Sequence, residues 1–231
     1  MAVEGASAAG KTTAVATVAR RSNWTVLREA YRRIDPPLSL EFRTPEELLA
    51  IELRLLREEA RRFGEARGAA RAGRTVLADT GFLGPLTYTA ALVAASEAPP
   101  DVLSALVELA RELGAHGRWG LADAYVYLDT PPSVRSTRAR EDPAGHPVAL
   151  DERHARVGGA EREFYRRRFA PIIGARFRSV PGEGRPEEVA GRVADAVRAM
   201  AGTPSSVGSI ASALALFEAG AGARNPEFGN R

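Results

Sequence analysis

The sequence predicts an α/β protein, a parallel sheet with helices on both faces and ligand groups at the carboxyl ends of the strands. Three observations carry this. Short apolar, β-rich runs alternate with longer helical segments through most of the chain. The stretch Gly5–Thr13 reads Gly-Ala-Ser-Ala-Ala-Gly-Lys-Thr-Thr, the G-x-x-x-x-G-K-[ST] spacing of a glycine-rich turn that enters a helix. Three of the β-rich runs lead into an acid, at Glu29, Asp79 and Asp129, where ligands of a parallel sheet gather.

Met1–Glu4 supplies a short first strand, so short that it leaves open whether residues precede Met1. The Ala/Val-rich segment from Ala14 to Arg20 is the helix after the glycine-rich turn. Trp24–Glu29 is β-rich and forms the second strand. Tyr31–Phe42 contains Pro36 and Pro37 and reads as a loop over the site. Thr44, followed by Pro45, Glu46 and Glu47, is a helix start with a cap, a proline in the first turn and acids at the positive end. That helix runs to about Ala72, with Leu48, Ile51, Leu55 and Leu56 at helical spacing and charge on its other faces. Thr75–Ala78 is a compact apolar strand. Helices over Phe82–Ala95 and Pro99–Leu113 precede the strand Ala124–Leu128. An arginine-rich helix, Ser133–Glu141, leads into a Pro/Gly-containing loop, Asp142–Val148, and a charged helix, Leu150–Arg168. Arg176–Val180 is the last strand and Pro186–Met200 the closing helix. The division expected is one domain over residues 1–201 and an extension over 202–231. In the extension Val207, Ile210, Leu214 and Phe217 are spaced as a short amphipathic helix, to dock on the domain or meet a partner, before a loose tail.

Composition sets limits. A chain of 231 residues fits one α/β domain with an appendage. The formal net charge is only +3, so charge alone gives no reason to expect nucleic acid as a partner. There is no cysteine, which excludes disulfides and thiolate metal sites. His116, His146 and His154 have no metal-ligand spacing. No run is long enough to span a bilayer, and no apolar leader precedes a cleavage site, so the expectation is a cytoplasmic protein with no membrane partner.

The glycine-rich turn carries specific chemistry. Gly5 and Gly10 let the backbone wrap a polyphosphate, so that N–H groups of Gly5, Ala6, Ser7, Ala8, Ala9, Gly10, Lys11, Thr12 and Thr13 are available to it. Lys11 reaches the β- and γ-phosphates, and the Thr12 hydroxyl is a ligand for Mg2+. The helix beginning at Gly10 adds its positive end. Lys11 is the only lysine in the chain, every other long cation being arginine. A compact ammonium on a flexible stem suits this place better than a guanidinium fork.

Together, Glu4-Gly5 through Thr13, Arg28-Glu29, Asp79, the run Tyr127-Leu128-Asp129-Thr130-Pro131-Pro132 with the arginines after it, and the closing Val180–Val189 segment resemble the thymidylate kinase and deoxynucleoside kinase group of P-loop kinases. The resemblance covers roughly residues 1–200. It implies a three-layer P-loop kinase fold with a five-stranded parallel sheet and a lid segment at about residues 133–150. It implies transfer of the γ-phosphoryl group of ATP to a nucleoside or nucleoside monophosphate, with Mg2+ and in a possible homodimer. By the same resemblance Glu29 is the candidate base, or the group orienting the acceptor. Asp79 holds the Mg2+ hydration shell opposite Thr12. Arg135, Arg138 and Arg140 are lid arginines, of which not all three are expected to act. Arg54, on the long helix, matches an arginine that the group turns toward the acceptor. Tyr31 is placed at the acceptor pocket by its position two residues after Glu29, not by the resemblance. The dense cluster Arg162, Arg166, Arg167 and Arg168 reads as a solvated face. The chain departs from the group at Thr80, where an arginine is usual beside the acceptor. That departure, with the unusual Arg32–Phe42 loop, keeps in view phosphotransfer to a non-nucleotide metabolite such as an antibiotic; the tail helix at Val207–Phe217 alone supports a further alternative, a nucleotide-binding regulatory module whose partner is a protein.

Overall fold

The computed structural model describes residues 1–141, 151–201 and 209–222. Its strands are β1 (Ala2–Glu4), β2 (Thr25–Leu27), β3 (Val76–Asp79), β4 (Tyr125–Asp129) and β5 (Phe177–Pro181). They form one sheet in the order β2-β3-β1-β4-β5, and every neighbouring pair is parallel. The chain leaves central β1 towards the β2/β3 side and later crosses to β4. The strand order therefore reverses beside β1, which is where the phosphate loop begins and where such sheets open a crevice.

The helices are α1 (Lys11–Arg20), α2 (Pro45–Arg71), α3 (Gly84–Ala94), α4 (Pro100–Ala115), α5 (Pro132–Glu141), α6 (Glu152–Glu163), a short α7 (Ala170–Ile173), α8 (Pro186–Met200) and α9 (Ile210–Gly222). Side chains alternate across each strand, and this sorts the core into two. Val3, Val126 and Leu128 face α1 and α8, where Val15, Val18, Val193 and Val197 cover them. Ala2, Tyr125 and Tyr127 face the other way, against the larger core of α2, α3, α4 and α9. Three layers result, as the sequence predicts.

Thr44 caps α2 in a reciprocal box, its Oγ1 accepting from Glu47 N at 3.2 Å while Glu47 Oε2 accepts from Thr44 N at 3.3 Å. The predicted apolar stripe of α2 divides. Leu48 and Leu56 enter the core, whereas Ile51 and Leu55 line a cleft. The charged faces expected on α2 are not all solvated, for Glu52, Glu58, Glu59 and Arg62 are buried. This helix is a wall of the site as well as a layer of the core.

The predicted helix Leu150–Arg168 is regular only as α6. It continues as a π-helical turn, Phe164–Phe169, whose wider winding brings Phe164, Tyr165 and Phe169 inward together. Phe217 of α9 stacks on Phe164 with ring centroids 4.9 Å apart, and Ala213 and Leu214 are buried beside it. Arg168 donates to the Leu216 carbonyl. The tail helix thus spends its apolar face on its own domain, which removes the support for a regulatory module that meets its partner there. Val207 and the loop Asp142–Val148 lie outside the described residues.

Candidate active site

The phosphate loop leaves β1 at Glu4 and enters α1 at Gly10, which caps the helix in a left-handed conformation. Ala9 N bonds Ala6 O at 3.1 Å, and Ala8 has φ 58, so the intervening backbone turns back on itself. Gly5 has φ 148, and a Cβ there would lie 2.9 Å from the Leu128 carbonyl oxygen, so no side chain fits. Two groups tie the far side of the loop. The Ala9 carbonyl accepts from Thr130 Oγ1 at 3.1 Å and from Arg138 Nη1 at 2.8 Å. Lys11 Nζ donates to Gly5 O at 2.7 Å and Ala6 O at 3.4 Å, holding the ammonium over the loop's own backbone.

A cleft of about 1470 Å³ opens over this loop. Gly5, Ser7, Ala8, Gly10, Lys11, Thr12 and Thr13 line one end, with Arg135 and Arg138 beside them. Glu29, Tyr31, Arg54 and Thr80 line the same cleft. The structure therefore brings together most of the residues proposed from sequence. Ala6 and Ala9 are buried within the loop itself, contributing backbone rather than surface.

The β2 end positions Glu29 and Tyr31. A 3-10 turn, Ala30–Arg33, follows Glu29 at the start of the expected loop. Arg33 pins it to α2 through Glu58 at 3.0 Å and Glu65 at 2.5 Å. The β3 end positions Thr80. Its Oγ1 donates to Glu29 Oε1 at 3.1 Å, so the residue that replaces the expected arginine orients the candidate base. Thr80 has φ 63, a left-handed conformation costly for a β-branched residue. Its position is held from behind by Arg62, whose Nη2 donates to Thr80 O at 3.0 Å and to Asp79 O at 2.9 Å.

Three expected residues are placed differently. Arg140 is exposed, bonds Thr137 Oγ1 at 3.3 Å and does not line the cleft, because it lies on the outer side of α5. The Asp79 side chain is only 2% exposed and does not line the cleft either; its Oδ1 has no hydrogen-bond partner among the described residues. Asp129, singled out as a strand-end acid, is held by Arg162 at 2.7 Å and Arg166 at 3.1 Å, so it fastens the end of α6 and the turn after it to the sheet. Arg138 belongs to the cleft and also straps the loop after β5, its Nη2 donating to Gly182 O at 2.8 Å. Arg135 is buried because α6 presents Gly158 to it, where a Cβ would sit 2.7 Å from Nη1.

The cleft also holds carboxylates that the sequence reading passed over. Glu4 accepts from Gly81 N at 3.0 Å, and burial pushes it up to about 7 against the pull of Lys11. Burial likewise pushes Glu161 up to about 7, with Lys11 and Arg135 opposing. Burial raises Glu59, and its ion pair with Arg62 pulls part of the way back. Glu52 is 3% exposed and burial alone pushes it up to about 8. Glu4 was visible as the residue before the loop. Glu52 and Glu59 share a helix face by their seven-residue spacing, but nothing in the sequence says that this face closes a cavity.

An AAA-domain family profile matches residues 1–166. The chain belongs to that family. No curated protein matches its sequence. Among solved structures, this AAA-domain protein is similar to a deoxyadenosine kinase of M. mycoides with bound dATP, at 12% identity and a TM-score of 0.69, covering 85% of this chain and 97% of that one. It is also similar to that enzyme with dCMP and a flexible dCDP bound, at 13% identity and TM-score 0.67 over the same shares, and with dCTP, at 11% and 0.59 over 86% and 99%. At such identities the likeness is one of fold: the five-stranded P-loop architecture of a deoxynucleoside kinase. No helix among the described residues is long and apolar enough to cross a membrane.

The buried acid of this AAA-domain protein has a consequence for stability. Glu52 titrates near 4.5 when unfolded and at about 8 when folded. Between those values the folded state holds the extra proton, so stability falls as pH rises, with a slope approaching about 1.4 kcal/mol per pH unit. Glu52→Gln is expected to remove that contribution. Urea midpoints at about pH 5 and 8 should converge more closely in the variant than in the parent. An unchanged difference would contradict the assignment.

Proposed function

We propose that the protein transfers the γ-phosphoryl group of ATP to a hydroxyl of a nucleoside, or to the phosphate of a nucleoside monophosphate. The observation that carries this reading is the Glu29 carboxylate, oriented by Thr80, in the same cleft as Lys11 and the phosphate loop. Phosphoryl transfer asks a protein mainly to position groups and to neutralise charge. Here the loop amides and Lys11 would hold the β- and γ-phosphates. The guanidinium groups of Arg135 and Arg138 line the same end, where charge spreads over the transferring oxygens. Glu29 would align the acceptor hydroxyl and take its proton as the O–P bond forms. Tyr31 and Arg54 would border the acceptor.

Mg2+ fits this donor set. Such an ion takes one or two protein ligands and completes its shell with water and phosphate oxygens. No cluster of three acidic or imidazole groups suited to a metal occurs among the described residues, and a phosphate-bound Mg2+ needs none. Thr12 lines the cleft and would supply the direct ligand, whereas the buried Asp79 carboxyl, which does not line the cleft, lends no support to the hydration-shell role expected of it. The bound ion would offset charge on the β- and γ-phosphates.

The test is label transfer from ATP to a panel of nucleosides and nucleoside monophosphates, with Lys11→Met as the control. Turnover of a panel member, reduced about 10²- to 10³-fold in the variant, is expected. No transfer to any member would refute the nucleotide version. One observation favours a second reading, phosphotransfer to a non-nucleotide metabolite such as an antibiotic. Thr80 occupies the place where an arginine usually meets the acceptor, and a metabolite panel screened by thermal shift separates the two readings.

A further inference from the structure

Glu4 and Tyr165 line the cleft, and the roles given to Lys11, Glu29 and the cleft arginines leave both unused. Glu4 ends β1 and is 2% exposed. Its Oε1 accepts from Gly81 N at 3.0 Å, and a Cβ on residue 81 would collide with it. Gly81 follows Thr80, whose left-handed φ of 63 is costly for a β-branched residue. The turn is gripped at three points. Thr80 N donates to Val3 O at 3.1 Å, Thr80 O accepts from Arg62 at 3.0 Å, and Gly81 N is held by Glu4. What the grip secures is the Thr80 hydroxyl, which donates to Glu29 Oε1.

Tyr165 in turn holds Glu4. Its hydroxyl lies 3.5 Å from Thr87 Oγ1, long for a hydrogen bond. Its hydrogen bond to the Glu4 carboxyl favours the charged form, which is the stronger acceptor for Gly81 N. Burial pushes this hydroxyl well above the ordinary tyrosine range, so it stays a donor. The ring belongs to the π-helical turn after α6. It meets Phe164 edge to face at 5.4 Å, and Phe164 stacks on Phe217 of α9 at 4.9 Å. Arg168 ties the same turn to α9 a second time, at the Leu216 carbonyl. No described residue of α9 lines the cleft.

We propose that Tyr165 is a positioning residue for the candidate base: through Glu4 and the Thr80–Gly81 turn it fixes Glu29, and Phe217 of the tail helix keeps its ring in place. This rests on the phosphoryl-transfer reading of the cleft. The extension then contributes to turnover from outside the site, by backing the aromatic pair that steadies Glu4. Contiguous contacts amount to coupling only if a change at one end is felt at the other, so the test is a mutant cycle.

Tyr165→Phe keeps the ring and removes only the hydroxyl. With the acceptor found by label transfer, kcat should fall about tenfold, the worth of one hydrogen bond to a charged group. ATP affinity from calorimetry should stay as in the parent. In a Glu29→Gln background the same change should cost nothing further, because its effect passes through Glu29. Phe217→Leu keeps an apolar filling without the stacked ring; it should lower kcat in the same way and add little to Tyr165→Phe. Amide exchange followed by NMR needs no acceptor. The Gly81 N–H should exchange about tenfold faster in Tyr165→Phe, while Val193 N–H, in α8 on the other face of the sheet, exchanges as in the parent. Unchanged kcat and Gly81 exchange in Tyr165→Phe overturn the inference, as does an equal further loss in the Glu29→Gln background. A Phe217→Leu protein that turns over like the parent overturns the part given to α9. Label transfer that Tyr165→Phe leaves untouched would keep the kinase reading and reject this one. Faster Gly81 exchange in a protein that phosphorylates no panel member would keep the grip on Thr80 and reject the kinase reading.

Discussion

Glu29→Gln is expected to lower kcat by about 10²- to 10⁴-fold, the range for removal of a positioned general base. The amide keeps the shape of the carboxylate and a contact with Thr80 Oγ1, now 3.1 Å from Glu29 Oε1, so the β2 end should stay in place. Affinity for ATP should hardly change, because Lys11 and the loop amides, not Glu29, are the groups proposed to hold the phosphates. Steady-state rates with the acceptor found by label transfer, beside ATP affinity from calorimetry, make the check. A kcat within about threefold of the parent would leave Glu29 as an orienting contact and send the search for a base elsewhere.

Arg62→Met is expected to cost about 3–5 kcal/mol of stability, the penalty for removing one partner of a buried ion pair. Arg62 is fully buried and pairs with Glu59, which is 2% exposed. It also donates to the carbonyls of Asp79 and Thr80 at 2.9 and 3.0 Å, and its guanidinium lies 5.7 Å from the centre of the Phe82 ring. Methionine fills similar space but leaves an acid and two carbonyls without their donor. Adding Glu59→Gln should recover part of the loss, since the stranded carboxylate is then gone. Urea unfolding of the parent, the single variants and the double variant measures both effects. A single-variant loss below about 1 kcal/mol, or a double variant no better than Arg62→Met, would show that the pair is not what locks the β3 end.

Arg62 also shows why part of the site was illegible in the sequence. It is one of many arginines on a helix rich in arginine and glutamate, and spacing alone assigns it to solvent. Burial is a property of what packs against a helix, and α2 is covered from several sides by elements distant in the chain. Glu52 and Glu59 escaped notice for the same reason. Arg140 shows the opposite case: it was included because arginines after β4 resemble lid arginines, and α5 turns it outwards. Asp79 was found at its predicted strand end, but its carboxylate is buried and does not line the cleft.

The local features were readable because their causes are local. Thr44 with Glu47 makes a cap within four residues. The glycines and lysine of residues 5–13 make an anion-binding turn whatever surrounds them, and short apolar runs alternating with longer helical segments mark a parallel sheet. Together these determined the parallel sheet, its strands and helices, and the phosphate end of the cleft. Only the tertiary structure decided which charged side chains of α2 and α6 face inward, that Thr80 orients Glu29, and that the tail helix closes the core. Those outcomes depend on contacts between segments far apart in sequence, where the energy of burying a charge is set by neighbours that no short stretch of chain contains.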